Sequence, residues 1–327
     1  MNEKILGIDI SKKKFDVALE KGELVESGTF RNDETGFTKL GRWLRKRDAK
    51  RIWACMEATG QYGDELALHL HEQGQKVSVV NPARIKKYGE SKLQRNKNDK
   101  VDARLIADFC RTQAPYLWTP PAAEVRKLRA LARRQNVLQG DRTREKNRLQ
   151  AGYHPPEVEA SIRAHLAFLN EQIAAIEAQT QQHINDHPNL KKDQELLDTI
   201  PGIGLKTAAC ILGELSDVSR FDHARHAVAY AGLSPHNHQS GDSILRPAHL
   251  SKIGNSALRA ALYWPAITAL RFNPIIMALG ERLAKKGKKK MVIIGAAMRK
   301  LLQLAYGVLK SGQPFDPNFA ANIQDNA

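Results

Sequence analysis

The chain has 327 residues, enough for two or three modest domains, and is 42% hydrophobic, so a sizeable core is possible. Only 6% is aromatic, which points away from a large β-sandwich and toward helix-rich packing. Fifty-one Lys and Arg against 35 Asp and Glu give a net charge of +16, which implies a polyanionic partner bound with release of phosphate counterions. Cys55, Cys110 and Cys210 lie far apart without a CxxC pair, which excludes a zinc finger or a disulfide framework and leaves three reduced core thiols. The start, MNEKILGIDI, lacks a basic segment followed by a long apolar one, and no uncharged apolar run reaches membrane-spanning length. The expectation is a cytoplasmic protein without a membrane span.

Residues 1–115 alternate strand and helix signals. Lys4–Ile10 reads as a buried strand, Lys12–Lys14 as a turn, Phe15–Leu19 as a second strand and Gly28–Arg31 as a third. Phe37–Arg47 is an amphipathic helix, Ile52–Met56 a strand ending at Glu57, Asp64–Gln73 a helix and Lys76–Val80 a strand stopped by Asn81-Pro82. Asp99–Arg111 closes the part as a helix. The order βββαβαβα is that of a mixed α/β domain.

Four carboxylates stand out within it. Asp9 ends the apolar run Ile5–Ile8, and Glu57 ends Ile52–Met56; at the edge of a core strand each is fixed by a rigid backbone. Asp99 and Asp102 are three residues apart, one face of a helix, with Asn98 a plausible start whose dipole favours negative charge. Each could be an ordinary turn or helix-start residue. Gathered together, they would need a counterion, and hard oxygen donors suit Mg²⁺ or Mn²⁺, which serve phosphoryl transfer. Asp on the first strand, Glu on a later one and a Dx₂D helix follow the order of a ribonuclease-H-like domain of the RuvC kind.

Residues 116–190 form a second part. Glu124–Gln150 is a strongly basic helix, interrupted by His154-Pro155-Pro156. Val158, Ile162, Leu166, Leu169, Ile173 and Ile176 then recur at near-heptad steps. Two long helices are expected, either as a hairpin within one chain or paired with another copy.

Residues 191–327 form a mostly helical third part. Its Leu197–Ala209 segment reads as a helix-hairpin-helix, in which the backbone of Gly202 and Gly204, with Lys206 and Thr207, can hold a phosphate; glycines for tight packing are the alternative. Ser234–Gly254 reads as a polar loop. In it Ser240 precedes Gly241 among His236, His238, Arg246, His249 and Lys252, where cations could activate a serine and stabilise phosphate charge. A turn role for Ser240 is open, and Ser243 and Ser251 are rivals as nucleophile. The histidines lack ligand spacing, Lys285–Lys290 is a charge block, and the chain after Ser311 is expected to fray.

The segments GIDISKKKFDVAL, MEATGQY, VVNPARIKKY, NKNDKVDARLIADFCR, IPGIGLKTAA, AYAGLSPHNHQSG, LSKIGN, LRAALYWPA and GAAMRKLLQLAYGVLKSGQPFD occur in this order along nearly the whole chain. Together they resemble the DEDD transposases of insertion sequences that encode a bridge RNA, with Piv-type DNA invertases as relatives. The resemblance implies that Asp9, Glu57, Asp99 and Asp102 are metal ligands and Ser240 the catalytic serine. It implies attack on a DNA strand to give a 5′-phosphoserine, followed by strand exchange. It also implies target and donor DNA read by a bridge RNA, a coiled-coil dimer assembling to a tetramer, and sites shared between subunits. Pro247 follows Arg246 where the family often carries Gly, a local departure in the serine segment.

Overall fold

The computed structural model describes residues 4–22, 24–58, 62–92, 99–240 and 244–318; the side chains of 99–100, 236–240 and 244–248 fall outside that description. Asn98 and the Gly241–Ser243 segment, both singled out above, also lie outside the described residues. The chain divides into two compact units, Met1–Pro120 and Pro121–Ala327.

The first unit is built on five strands: β1 (Lys4–Ile10), β2 (Lys14–Lys21), β3 (Leu24–Arg31), β4 (Ile52–Glu57) and β5 (Lys76–Val80). The sheet order is β3-β2-β1-β4-β5. β2 is antiparallel to β1 and β3, whereas β4 runs parallel to β1 and β5 parallel to β4. Between β3 and β4 lies α1 (Glu34–Arg45), started by Asp33, whose side chain accepts from the Gly36 N–H at 2.8 Å. Between β4 and β5 lies α2 (Asp64–Glu72). Asn81-Pro82 stops β5, as read from sequence, but it also starts α3 (Pro82–Ser91), an element the sequence reading omits. Asn81 is the cap, accepting from the Ala83 N–H at 2.8 Å, and Pro82 fills the first helical position, where no donor is needed. α4 (Asp99–Gln113) follows.

Strand alternation sorts the core. Leu6, Ile8 and Ile10, with Phe15, Val17 and Leu19, pack on Phe37 and Leu40 of α1 and Leu66 of α2. The other face carries Ile5, Cys55 and Val80 against Ile85 of α3 and Ile106, Phe109 and Cys110 of α4. All three cysteines are buried and free, as the sequence implied.

The second unit opens with two long helices, α5 (Ala123–Gln150) and α6 (Pro156–Asn185). Gln135 donates to Glu177 at 2.7 Å and His183 bonds the Glu124 carbonyl at 2.8 Å, so the helices run antiparallel. Then come α7 (Pro188–Asp198), α8 (Leu205–Leu215), α9 (Ala224–Tyr230), the hairpin β6 (Pro235–Ser240) and β7 (Ile244–Leu250), α10 (Ser256–Ala261), α11 (Tyr263–Phe272), α12 (Pro274–Lys285) and α13 (Lys290–Ser311). The expected polar loop at 234–254 is thus largely an antiparallel ribbon, with Ser240 opposite Ile244 and a register shift between His236 and His238. The core gathers around α8, buried from Ala208 to Leu215, with Val228, Leu258, Ala266, Leu301 and Leu302 in the same cluster. By length and composition α13 is long and apolar enough to cross a membrane, but it carries Arg299 and Lys300 and half of that stretch is buried in this core, as in the core helix of a globular domain.

Candidate active site

The site begins with a glycine. A Cβ at Gly7 would lie 2.1 Å from the Ala103 carbonyl oxygen and 2.4 Å from the Ala107 nitrogen, so only glycine lets α4 lie this close to β1. Arg111, near the end of α4, reaches Glu20 at 3.3 Å, and Glu20 pairs with Ile5. α4 therefore runs opposite to β1, with its first turn toward Asp9. Asp9 is two residues past Gly7 and shares its face. Met56 is in register with Ile8, so Glu57 stands beside Asp9 at the carboxyl end of the adjacent parallel strand. Asp102 directly precedes the Ala103 that contacts Gly7. Asp9, Glu57 and Asp102 are each half-buried. Asp99 begins the same helix one turn earlier.

One further carboxylate on this face was not anticipated. Asp16 pairs across strands with Asp9 and is 3% exposed. It accepts from Lys14 Nζ at 3.2 Å and from Thr29 Oγ1 at 2.5 Å. The signal was available in KKKFDVAL: a charged residue at an inward position of an alternating strand needs partners.

The donor set fits a hard divalent cation in kind, since Asp9, Glu57, Asp99 and Asp102 offer only carboxylate oxygens. Among the described residues no three such groups close into a ready-made metal cage. The backbone places Asp9, Glu57 and the Asp102 turn at one end of one sheet face, with Asp99 at the start of the same helix, and a divalent cation held there would meet carboxylate oxygens.

Ser240 belongs to the second unit and is the last residue of β6. The base of its hairpin is anchored repeatedly. Ser251 N–H donates to the Ser234 carbonyl at 2.9 Å, Lys252 N–H to Gly232 at 3.1 Å and Asn255 N–H to Tyr230 at 2.7 Å. Arg259 donates to the Ala231 carbonyl at 2.9 Å. Asn255 starts α10 and also donates to Glu214 Oε2 at 2.7 Å. Glu214, 1% exposed, is held by Arg133 at 2.6 and 2.9 Å. Burial, the largest influence, raises its pKa, but the hydrogen bonds from Arg133 and Asn255 and the charges of Arg133 and Arg129 outweigh it, and the net shift is downward. Sequence reasoning missed this anchor because Glu214 lies 81 residues from Arg133 and 41 from Asn255.

The turn between α7 and α8 divides its glycines by role. Gly202 has φ 103°, and a Cβ there would meet Ala269 Cβ at 2.8 Å and the Pro265 carbonyl at 2.9 Å, so packing against α11 requires it. Gly204 has open space around it and starts α8. Lys206 donates to Gln139 of α5, and desolvation, the largest influence, lowers its pKa. Thr207 is half-buried in the first turn of α8.

Both halves of the chain match known families. Residues 6–152 match the DEDD transposase family of IS110 elements, described as Transposase, and residues 194–281 match the family Transposase IS116/IS110/IS902. The pilin gene-inverting protein of Moraxella bovis is 36% identical over 321 residues, covering 97% of this chain and 98% of its own length. The chain belongs to the IS110 family of transposases. The transposase of insertion element IS1328 from Yersinia enterocolitica is 26% identical over 60% of this chain and 65% of its own length. A more distant relative, the transposase of IS1111A from Coxiella burnetii, is 23% identical over 82% of this chain and 78% of its own. The IS110-family chain is therefore a DNA transposase or recombinase, and DNA is its partner.

Proposed function

We propose that this IS110-family protein cuts and rejoins DNA by attack of Ser240, assisted by Mg²⁺ or Mn²⁺ on Asp9, Glu57, Asp99 and Asp102. The observation that carries the proposal is the approach of α4 to β1 at Gly7, which brings the Asp102 turn to Asp9 and Glu57. The sheet order, with β2 antiparallel to its neighbours, supports reading the first unit as ribonuclease-H-like of the RuvC kind. The bound cation supplies charge neutralisation of the phosphate.

In the step itself, the Ser240 Oγ–phosphorus bond forms and the bond from phosphorus to the 3′ oxygen breaks. The serine proton passes to a base, and the leaving 3′ oxygen takes up a proton. Rejoining is the same exchange in reverse with a new 3′ hydroxyl. Gly204, Lys206 and Thr207, in a helix-hairpin-helix with Gly202 as its packing glycine, would hold a DNA phosphate, as would Arg246 and Lys252. A bridge RNA supplying the sequence reading is supported by the motif resemblance and the charge of +16. α5 and α6 would form the dimerisation segment of a homodimer that assembles into a tetramer, and Ser240 and the carboxylates would meet across subunits. DNA inversion is a second reading, favoured by the 36% identity with the pilin gene-inverting protein.

The test is a labelled DNA substrate carrying paired recombination ends, stopped in SDS. A covalent protein–DNA adduct is expected, lost in Ser240→Ala and in Asp9→Ala and Asp102→Ala. Full strand cleavage retained in Ser240→Ala would sink the serine assignment. Excision-and-insertion and inversion reporters, run with and without the RNA transcribed beside the gene, separate transposition from inversion and test the guide.

A further inference from the structure

From Lys252 to Lys310 the chain carries twelve Lys and Arg and a single carboxylate, Glu281. Six of the twelve sit at the α12–α13 junction: Arg282, Lys285, Lys286, Lys288, Lys289 and Lys290, all exposed. None of the six makes an ion pair or side-chain hydrogen bond among the described residues. Helix α13 offers no electrostatic reason for them. Its first turn holds no acid, its start has no side-chain cap, and three lysines, 288–290, crowd the end where the helix dipole is already positive. Lys285 and Arg282, by contrast, complement the end of α12. The lysines at the start of α13 thus stand against the helix dipole, where a bound anion would offset their charge.

Beside this junction runs a groove of about 590 Å³ between α12 and α13. Its floor is aliphatic, with Leu279 and Leu283 among its residues, and its cations are Arg282, Arg299 and Lys300. No aromatic side chain lines it, so it offers no platform for stacking unpaired bases. Cations along an aliphatic trough suit a sugar–phosphate backbone: deoxyribose carbons against the floor, phosphates on the rim.

We infer that the α12–α13 junction and its groove form a second DNA-binding surface, distinct from the serine hairpin, that grips the backbone of duplex DNA without reading its sequence. The inference rests on the reading of the chain as a DNA-acting transposase. Lysine point charges on exposed stems tolerate any phosphate register, which is what such a grip needs.

The test compares three variants of the full chain. In the first, Lys285, Lys286, Lys288, Lys289 and Lys290 are changed to Gln. In the second, Arg299 and Lys300 are changed to Gln. The third is a charge-matched control in which the exposed Lys39, Lys46, Lys50, Lys86 and Lys87 become Gln. Binding of a labelled duplex of arbitrary sequence is measured by anisotropy across a salt series. Each lost phosphate contact flattens the log–log salt slope by about 0.9. The first variant should lose at least three such contacts and at least tenfold in affinity at moderate salt. The second should lose one or two, and the control fewer than the first. The melting temperature of the first variant should stay level or rise, which separates lost contacts from lost folding. An unchanged slope, an equal loss in the control, or a loss confined to an RNA probe overturns the inference. Ser240→Ala in the same series should keep the wild-type slope while losing the covalent adduct, so failure of this surface is distinguishable from failure of the serine mechanism.

Discussion

Gly7 and Glu214 show how single residues set the two halves of the chemistry. At Gly7 the nearest obstacles to a side chain are backbone atoms of α4, which cannot rotate away. Gly7→Ala should therefore cost about 3 kcal/mol or more, at the upper end for overpacking, and should abolish DNA cleavage by displacing Asp102. Urea unfolding and the adduct assay check both; wild-type stability would refute the close approach. Glu214 is the buried acceptor for Arg133 and Asn255. Its pKa is lowered on folding, so its ionised form stabilises the protein above the ordinary Glu value near 4.5, and that contribution is lost as the pH falls through the lowered folded value. Glu214→Gln should cost about 2–3 kcal/mol at pH 7, with the penalty shrinking below pH 4.5. A penalty independent of pH would show that Arg133 does not act through charge. The neighbouring positions of Asp9 and Glu57 were legible at this scale because each ends an apolar run. Gly7 was not, since only the partner helix shows why it must be glycine. Asp16 and Glu214 were hidden for a related reason, because their partners lie on other elements.

Elements were most legible where periodicity is long. The β1 strand and the α5 and α6 helices follow from their apolar patterns, whereas α3 was hidden behind a proline that stops a strand and starts a helix at once. The β6–β7 ribbon was hidden because its polar, histidine-rich residues carry no alternation of apolar side chains. The apolar seam of α6 splits in two. Leu169 and Ile173 are buried with Leu138 of α5, while Val158 is 44% exposed and Ile162 and Leu166 are only half-buried. The hairpin within one chain thus uses the later half of the seam and leaves the earlier half more exposed, where the proposed second copy would pack. Changing Val158, Ile162 and Leu166 to Ser should weaken self-association at least tenfold in sedimentation velocity while leaving the monomer folded. Leu169→Ala should instead lower stability by about 2–4 kcal/mol, as expected for a buried leucine. Equal effects of the two changes on association would remove this division of the seam.

At the scale of the whole molecule, the proposed site sets acidic residues in a chain of net charge +16. The two demands conflict, since Asp9, Glu57, Asp99 and Asp102 repel the phosphate that the rest of the surface attracts. In the proposed mechanism a divalent cation held by these carboxylates would neutralise that repulsion, which gives a binding signature separate from catalysis. In EDTA, Asp9→Ala and Asp102→Ala should bind duplex DNA at least as tightly as the wild type, because each removes a repulsive charge. At constant ionic strength, adding Mg²⁺ should tighten DNA binding several-fold in the wild type only. The expected gain is modest because each lost or gained charge contact in a salt-screened site is worth on the order of 1 kcal/mol, roughly fivefold in affinity. Anisotropy titrations at matched ionic strength measure both effects. If Mg²⁺ tightens binding equally in Asp9→Ala, the cation acts elsewhere on the complex and the carboxylates are not its ligands.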